Sequence, residues 1–472
     1  MVRELTGWSA DLRVTADGEG VVALAGAVAV RMLADRSGLT QALSGVLARR
    51  GFIPVHDRGR VITDVAVAIA CGARDIVDIE ALRAQGQVFG PVASDTTALR
   101  ALGEVGDGKR ARIARVRAAA RAHIWSQLPG GVPESTFAGG VCQQGMVVLR
   151  VDGSLVVSHS KKAKAAPTFK KTFGHHPLGC WVDNTDELPA LLLRPGNAGS
   201  NTAADLIAVI GEAIAGIPKP WRAKLLITSD GAGASHGLID WLTRQNHAAD
   251  RNVEYSVGFD VDADVRAAIG QLPAHGWIAG LDNTNGSVRD DMDVAEITDL
   301  LRTRLDRTNW PRSMRVFVRR RKLAAGEQPT LFAMDGYKYS CFVTNTGPGL
   351  SVQLLDARHR AHARVEDGVR TGKDTGLGHL PSKAWGVNTA WCHAVAIAVD
   401  LLAWLKLIGC HGALAKAEPK TLRYRLLQVP ARLTRGQRRR WLRLPRTWPW
   451  AKALADAINK IRKMPLPTPQ PG

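Results

Sequence analysis

Hydrophobic side chains recur at helical spacing through the first 140 residues. They fall every three or four positions in 39–51 and again in 60–86, which is typical of helices that bury one face. A third helix is predicted at 108–125, where six basic residues stand between Lys109 and Arg121. This basic run is either a solvated helix face or a surface that lies along phosphates. The pattern predicts a mainly helical region over 1–140.

Strand-like patterns replace the helical spacing after residue 140. Residues 145–160 predict two paired strands with a turn at Asp152–Gly153, and 177–196 predict a hairpin. An apolar strand within 221–233 ends at Asp230, and helical patterns stand on both sides of it. The predicted order is β-β-β-α-β-α-β, which indicates an α/β fold with helices packed on a mixed sheet.

Two later segments depart from this order. Residues 262–354 contain strand-like runs separated by Gly, Asn and Pro, which predicts a β-rich insertion. The pattern then becomes helical again and includes an apolar stretch at 388–409 that is long enough to cross a membrane. His393, Asp400 and Lys406 within that stretch would each be costly in a bilayer. We therefore predict a buried helix and no membrane partner.

The charge of the chain indicates a polyanionic partner. Its 63 Lys and Arg residues exceed its 43 Asp and Glu residues, and the formal net charge is +20. Such an excess favours nucleic acid or an anionic membrane surface as the partner. The C-terminal part is also basic, with 15 Lys and Arg residues against two acidic ones over 411–472.

The six cysteines are scattered and contain no CxxC pair. This spacing excludes a disulfide scaffold and a zinc ribbon, and it suits a reducing compartment. The first 20 residues carry acidic side chains and no apolar segment of the kind found in secretory signals. A cytoplasmic location is therefore expected.

Two aspartates stand out by their position at strand ends. Asp152 ends one apolar strand, and Asp230 ends another before a glycine-rich turn. Carboxylates at strand ends can meet at one edge of an α/β sheet, and two or three of them bind Mg²⁺. Ions held in this way activate a nucleophile and stabilise the leaving oxygen of a phosphodiester. The alternative is that each Asp is an ordinary turn residue before Gly.

Two basic segments are candidates for contact with nucleic acid. Lys161 and Lys162 begin a lysine-rich loop after the first strands, which either binds a phosphate backbone or is solvated. The second segment, 302–322, has nine basic residues and one acidic residue, and its longest basic run is Arg319, Arg320, Arg321 and Lys322. Trp310 in the same segment either stacks on an extruded base or packs in the core.

Several separated segments match one family in order. They are VDGSLVVSHS, APTFKKTFGHHPL, LLLRPGNAGSNTAADL, ITSDGAG and RVEDGVRTGKDTGLG. Together they resemble bacterial insertion-sequence transposases of the DDE type, the set called transposase DDE domain group 1, and the resemblance covers most of 90–430. It implies an RNase H-like catalytic fold, in which helices flank a mixed sheet.

The resemblance also implies an Asp-Asp-Glu triad, which maps onto Asp152, Asp230 and Glu366. These residues would be catalytic and would hold Mg²⁺, with Mn²⁺ able to take its place. Asp367 is the rival for the third position. Glu366 is preferred because Lys373 follows it at the spacing of the family's Tyr-Arg-Glu-Lys signature.

Residues around the Glu are expected to contact DNA. On a helix, Glu366, Arg370 and Lys373 would share one face, where the cations could hold a phosphate beside the carboxylate. The alternative is an ordinary surface pair between Glu366 and Arg370. The Tyr and Arg positions of the signature are occupied here by His359 and His362. A basic role there would fall to these histidines and to neighbouring arginines such as Arg364.

The resemblance implies a DNA transposase of the cut-and-paste type. It would bind the terminal inverted repeats of its own insertion sequence, cleave them and join them to target DNA. The expected partner is double-stranded DNA, bound by a homodimer on paired ends at the nucleoid of a bacterium. Two alternatives remain open: a nuclease of the same fold that cuts without joining, and a transposase-derived repressor that only binds DNA.

Five parts are expected along the chain. They are a helical DNA-binding or dimerisation region (1–140), the first part of the catalytic core (141–261), a β-rich insertion (262–354), the second part of the core with the Glu helix (355–430) and a basic C-terminal tail (431–472).

Overall fold

Helices form most of the N-terminal region, as the periodicity predicts. The computed structural model describes residues 12–158, 161–199, 202–248, 251–301, 310–324, 326, 333–436 and 438–468. The first elements are β1 (Val21–Val22), α1 (Ala27–Arg36), α2 (Leu39–Leu47), α3 (Arg58–Ala70), α4 (Glu80–Arg83), α5 (Gly86–Phe89), α6 (Asp95–Gly103) and α7 (Asp107–Ser126). Helix α2 packs against both α3 and α7, so the apolar faces predicted for 39–51 and 60–86 meet each other.

A mixed sheet follows this helical region. Its first part contains β2 (Thr136–Phe137), β3 (Gly140–Val141), β4 (Val147–Gly153), β5 (Val156–Val157), β6 (Ala166–Pro167), β7 (Phe173–His175), β8 (Leu178–Val182), β9 (Glu187–Leu192), α8 (Ala203–Gly216), β10 (Lys224–Ser229), α9 (His236–Asn246) and β11 (Asn252–Phe259). Strands β4, β10 and β11 are parallel, whereas β8 is antiparallel to β4 and to β9. This mixed sheet with flanking helices confirms the RNase H-like α/β class.

One predicted pairing is wrong. The two strands expected within 145–160 do not pair with each other, because β4 already has β8 on one side and β10 on the other. Strand β5 instead pairs with β7 in a small separate sheet of three strands. The hairpin predicted within 177–196 is confirmed as β8 and β9.

The β-rich insertion extends the same sheet. It comprises α10 (Ala263–Ile269), β12 (Ile278–Leu281), β13 (Val288–Glu296), β14 (Arg315–Lys322), β15 (Ala333–Met334) and β16 (Tyr337–Thr344). Strand β16 pairs antiparallel with β11, so the central sheet runs in the order β12-β13-β14-β16-β11-β10-β4-β8-β9. Part of the basic segment 302–322, residues 302–309, lies outside the described residues.

The two faces of the sheet carry different helices. Leu149 and Val151 of β4 face α8 and α9, within the main hydrophobic core. Val148 points to the other face, where it joins a smaller cluster with Ala357 and Ala361. That second face is covered by α11 (Val352–Arg360) and α12 (Val365–Gly372). Because side chains alternate along a strand, even-numbered residues of β4 point towards α11 and α12.

The C-terminal part returns to the helical region. It contains α13 (Trp385–Gly409), α14 (Pro419–Leu422), β17 (Ala431–Gly436), β18 (Arg439–Arg443) and α15 (Ala451–Lys463). Among the described residues only α13 is long and apolar enough to cross a membrane, and 89% of its apolar window is buried inside the protein. It packs against α3 on one side and β9 on another, which is the buried position predicted for 388–409.

Charged residues join α13 to the basic helix α7. Asp400 on α13 accepts hydrogen bonds from Arg117 at 2.7 Å and from Arg121 at 2.9 Å, and all three side chains are buried. Arg121 also pairs with Glu187 at the start of β9, at 2.7 Å. This part of the basic run is therefore neither a solvated face nor a phosphate-binding surface. It connects the helical region to the sheet.

Candidate active site

Asp152 and Asp230 lie side by side at one edge of the sheet. Val151 of β4 is the parallel partner of Ser229 of β10. Asp152, near the end of β4, and Asp230, directly after β10, therefore lie on neighbouring strands and point to the same face. Asp152 is half-buried, and its Oδ1 accepts a hydrogen bond from the Gly153 amide at 2.7 Å. Asp230 is exposed. The convergence predicted from two strand ends is thus present.

Glycines make room around both carboxylates. Gly179 of β8 is the cross-strand neighbour of Asp152, and the Trp181 indole occupies the space where a Cβ of Gly179 would stand. Gly258 of β11 lies beside the Asp230 turn, where a Cβ would stand 2.4 Å from the Gly231 nitrogen. A side chain at Gly258 would push this turn away from the sheet.

Glu366 reaches the same edge from helix α12. It lies in the first turn of the helix and is exposed. The helix approaches β8 closely at Gly368, where a Cβ would stand 2.9 Å from the Trp181 indole. Trp181 in turn lies over Gly179. The absence of side chains at these two glycines therefore allows α12 to lie near Asp152.

The carboxylates influence one another electrostatically. Burial, followed by the negative charge of Asp230 and then that of Glu366, raises the pKa of Asp152 from its usual 3.8 to about 6. Lys170 opposes this shift. Partial burial and the charge of Lys170 lower the pKa of Lys373, whereas the carboxylate of Asp152 raises it. Three acidic and two basic side chains therefore share one small region.

Comparison with known proteins gives this arrangement a context. The model of a family described as transposase DDE domain group 1 matches residues 6–466, nearly the whole chain. The chain belongs to this transposase family. A solved structure titled as the piggyBac transposase synaptic complex with hairpin DNA aligns at 9% identity, covering 95% of this chain and 86% of that one, with a TM-score of 0.37. No curated protein matches the sequence.

Transposases with a DDE domain generally use divalent metal ions. The three carboxylates of this chain are suited to hold such ions. Asp152, Asp230 and Glu366 offer only carboxylate oxygens, the ligands that Mg²⁺ prefers. A bound cation would also remove the repulsion that raises the pKa of Asp152. Within the described part of the chain, no three His, Cys, Asp or Glu side chains already stand close enough to hold one ion. Coordination by all three carboxylates therefore requires side-chain movement.

Asp367, the rival for the third position, faces away from this site. Its Oδ1 accepts a hydrogen bond from Arg370 at 2.7 Å, and Arg370 also pairs with Glu418 at 2.9 Å. Asp367 and Arg370 line a separate cavity of about 270 Å³ on the other side of the transposase helix α12. Arg370 lies one helix turn after Glu366, but its side chain pairs with these acidic neighbours and not with Glu366. The expected contact of Arg370 with a phosphate stays a prediction. Lys373 does lie at the site.

The two signature histidines of this transposase lie against the sheet, where His362 is buried and His359 is half-buried. His359 Nδ1 lies 2.9 Å from the Ser256 hydroxyl, and its ring stacks on Phe342. His362 Nδ1 lies 2.9 Å from the Thr228 hydroxyl. Burial lowers the pKa of His362 to about 3, and burial together with nearby arginines lowers that of His359 well below its usual value. Neutral rings supply no charge to a phosphate, which corrects the basic role expected of both histidines. Both line a cavity together with Asp230, and their contact with DNA stays a prediction.

The basic run of strand β14 is largely paired within the protein. Arg319 donates to Asp356 at 3.0 Å, and Arg320 donates to Asp293 at 2.8 Å. Arg321 is half-buried and also interacts within the protein. Trp310 packs against His236, with ring centroids 3.9 Å apart, and against Phe259 at 5.3 Å. Arg319 lines a cavity of about 450 Å³ together with Asp230, so it borders the carboxylate cluster, whereas the contacts of Arg320 and Trp310 hold them elsewhere.

The remaining predicted contacts lie around the site. Lys161 is exposed, whereas Lys162 donates to the Leu380 carbonyl. Arg364 donates to the Thr136 carbonyl and lies 3.6 Å from Asp183. The lysine-rich loop considered in the sequence analysis also contains Lys170, which lies near both Asp152 and Lys373. The sequence identifies Lys170 only as a member of this basic loop.

Proposed function

We propose that this protein is a cut-and-paste DNA transposase that acts with an Asp-Asp-Glu triad. The triad would consist of Asp152, Asp230 and Glu366. The observation that supports it most is the alignment of Asp152 and Asp230 on adjacent parallel strands. The second support is the influence of Glu366 on the pKa of Asp152. The proposed DNA substrate is the pair of inverted repeats that end the element.

The three carboxylates would hold the divalent ions in ionised form. When bound, Mg²⁺ supplies positive charge that lowers the pKa of water and offsets charge on the phosphate. Asp152 has to be ionised to hold a cation, and its raised pKa opposes this ionisation until the cation binds. Lys170 and Lys373 would attract the scissile phosphate towards the carboxylates, since they are the cations that lie near Asp152.

At the strand that is joined to the target, the reaction would consist of two phosphoryl transfers without a covalent protein intermediate. In the first, water attacks phosphorus, the bond to the 3′ oxygen breaks, and the transposon end keeps a free 3′-hydroxyl. In the second, that hydroxyl attacks a phosphodiester of the target, whose own 3′ oxygen leaves. Because two ends must be joined to one target, we expect a homodimer on paired ends.

A cleavage and joining assay tests this proposal. Purified protein is mixed with Mg²⁺, a supercoiled plasmid and a labelled duplex that carries the inverted repeat flanking the coding region. Wild type should nick the duplex at the repeat and join it to the plasmid. Asp152→Asn, Asp230→Asn and Glu366→Gln should each lower the rate at least about 10³-fold, because residues that act as one unit fail together.

Asp240→Asn is the matched control for these variants. Asp240 is an exposed carboxylate on α9 that pairs with Arg244, and its loss should leave both steps unchanged. Gel shifts establish that each variant still binds the duplex. Cutting that survives all three substitutions would refute the triad. Wild type that cuts without joining would identify a nuclease, and binding without cutting would identify a repressor.

A further inference from the structure

A concentration of uncompensated charge lies far along the chain, on the hairpin of β17 and β18. Its six arginines are all exposed: Arg432, Arg435, Arg438, Arg439, Arg440 and Arg443. No described carboxylate forms an ion pair with any of them. Their visible partners are neutral, since Arg440 donates to the Gln87 carbonyl and Arg443 to the Thr434 hydroxyl.

The register of the hairpin places like charges opposite each other. Arg432 pairs with Arg443, and Arg435 pairs with Arg440. Directly opposed like charges destabilise a strand pair. A hairpin that keeps two such pairs, with no acidic residue between 431 and 443, is suited to a polyanion that relieves the repulsion.

The hairpin has one anchored face and one open face. Leu433 and Leu442 pack into a small cluster with Val22 and Ala431. The opposite face presents two arginines, a threonine and a tryptophan that is 48% exposed: Arg432, Thr434, Trp441 and Arg443. The short strand β1 pairs with β17 at Ala431 and Arg432, and beyond this point the hairpin is a two-stranded ribbon. Such a ribbon fits the major groove of B-DNA, which is about 12 Å wide.

The surroundings of the hairpin are basic as well. A groove of about 830 Å³ separates it from α15, and its lining includes Arg439, Arg440 and Arg462 but no acidic side chain. On the other flank Glu19 is the one acidic residue that lines the neighbouring cavity. The local field therefore favours a nucleic-acid backbone along the ribbon and α15.

A short segment connects the hairpin to the candidate active site. Arg423 donates to the Asp374 carbonyl at 2.5 Å, and Lys420 pairs with the Asp374 carboxylate at 3.1 Å. Asp374 directly follows Lys373, which lies near Asp152. DNA bound to the hairpin would thus lie on a segment that is attached, through Arg423 and Lys420, to the turn at Asp374 beside the triad.

We propose that the β17–β18 hairpin is a duplex-DNA-binding ribbon whose open face lies in the major groove beside the cleaved bond. This inference rests on the proposed function for the position of the cleaved bond, but not for duplex binding itself. Phosphates would be held by the arginines near the turn, and Arg432 and Arg443 would reach base edges or phosphates within the groove.

Salt-dependent binding tests the ribbon. The probe is a labelled 30-base-pair duplex of mixed sequence, titrated by fluorescence anisotropy between 50 and 300 mM salt. Arg432→Gln/Arg443→Gln should weaken binding by about tenfold or more and lower the slope of log K against log salt by about 2, one for each lost contact. Lys219→Gln/Lys224→Gln removes the same charge at the opposite edge of the sheet, where β10 begins, and should change neither quantity.

Two further measurements separate the outcomes. Removal of the opposed arginines should leave the melting temperature of the free protein equal or higher, so a fall in it would overturn the account of strand repulsion. Polyglutamate that competes as well as duplex DNA would identify an acidic protein as the partner instead. If wild type cuts DNA and the double-arginine variant still binds the duplex normally, the ribbon is rejected and the proposed transposase activity stands. If wild type does not cut DNA but the variant loses duplex binding, the ribbon stands and the proposed reaction is rejected.

Discussion

Two clusters of acidic side chains in this protein have opposite surroundings. Glu187 and Asp400 are buried, and every charge in their cluster is matched: Arg117 and Arg121 lie within 3 Å of these carboxylates. At the edge of the sheet, Asp152, Asp230 and Glu366 lie together with Lys170 and Lys373 as the cations near Asp152.

The difference indicates what each cluster is for. The buried cluster is complete within the chain, since the indoles of Trp125 and Trp404 and the hydroxyl of Thr185 also donate to Glu187. Such a network holds elements in register and needs no ligand. The edge cluster retains repulsion between like charges, which a cation from outside would remove. The pairing of each carboxylate with a basic side chain therefore distinguishes a structural acidic cluster from a candidate metal site.

Removing the shared acid of the buried cluster should have the largest effect. Asp400→Ala leaves Arg117 and Arg121 without this partner, and it also frees the Leu188 amide, which donates to Asp400 at 3.0 Å. Breaking a buried pair in this way costs about 3–5 kcal/mol. Urea unfolding should show this loss, with helix α7 separating from the sheet.

Asp456→Ala is the comparison for this variant. Asp456 pairs with Lys452 on the surface of α15, and both side chains are largely exposed. Exposed pairs contribute about 0–1 kcal/mol, so this substitution should be nearly silent. Equal losses in the two variants would contradict the structural role given to Asp400.

The sequence predicted the edge cluster better than the buried one. Asp152 and Asp230 were identifiable because each ends an apolar strand, and strand ends are a local property of the pattern. The register that places them side by side also follows from two parallel strands. The Glu366 assignment depended on the family resemblance, because nothing in the local pattern distinguishes Glu366 from Asp367.

The buried cluster could not be predicted because its partners are far apart in the chain. Arg117 and Asp400 are separated by 283 positions. The basic run around Arg117 resembles a surface, and the buried helix predicted for 388–409 does not identify a partner for Asp400. His359 and His362 posed the same difficulty, since their hydroxyl partners lie on β11 and β10. Periodicity reports which face of a helix is apolar, but it does not report which charges find partners across the core.

Neutralising one acid of the edge cluster should stabilise the protein. The folded state raises the pKa of Asp152 from 3.8 to about 6, so it binds this proton more tightly than the unfolded state does. Stability is therefore lost as the pH rises from about 4 to about 6. In EDTA at pH 7.5, the free energy of unfolding of Asp152→Asn should exceed that of wild type by about 1–2 kcal/mol, allowing for solvent screening of a half-buried group.

Two conditions should reduce the stability that Asp152→Asn gains over wild type, and thermal unfolding measures the effect of each. Lowering the pH towards 4 protonates Asp152 in wild type, so the two proteins should converge. Adding Mg²⁺ should raise the melting temperature of wild type more than that of the variant, because the variant has lost a ligand. A difference that stays constant across pH would show that the repulsion is not the cause.

The smallest effect should come from the acid next to the triad. Asp367 is exposed and is already paired with Arg370. Like the acids of the buried cluster, it therefore has a basic partner, although it directly follows Glu366. Asp367→Asn should change the free energy of unfolding by less than about 1 kcal/mol and leave cleavage within about threefold of wild type. Glu366→Gln, one position away on the same helix turn, should abolish cleavage. If instead Asp367→Asn abolished cleavage and Glu366→Gln did not, α12 would have to rotate before it acts, and the third ligand would be Asp367.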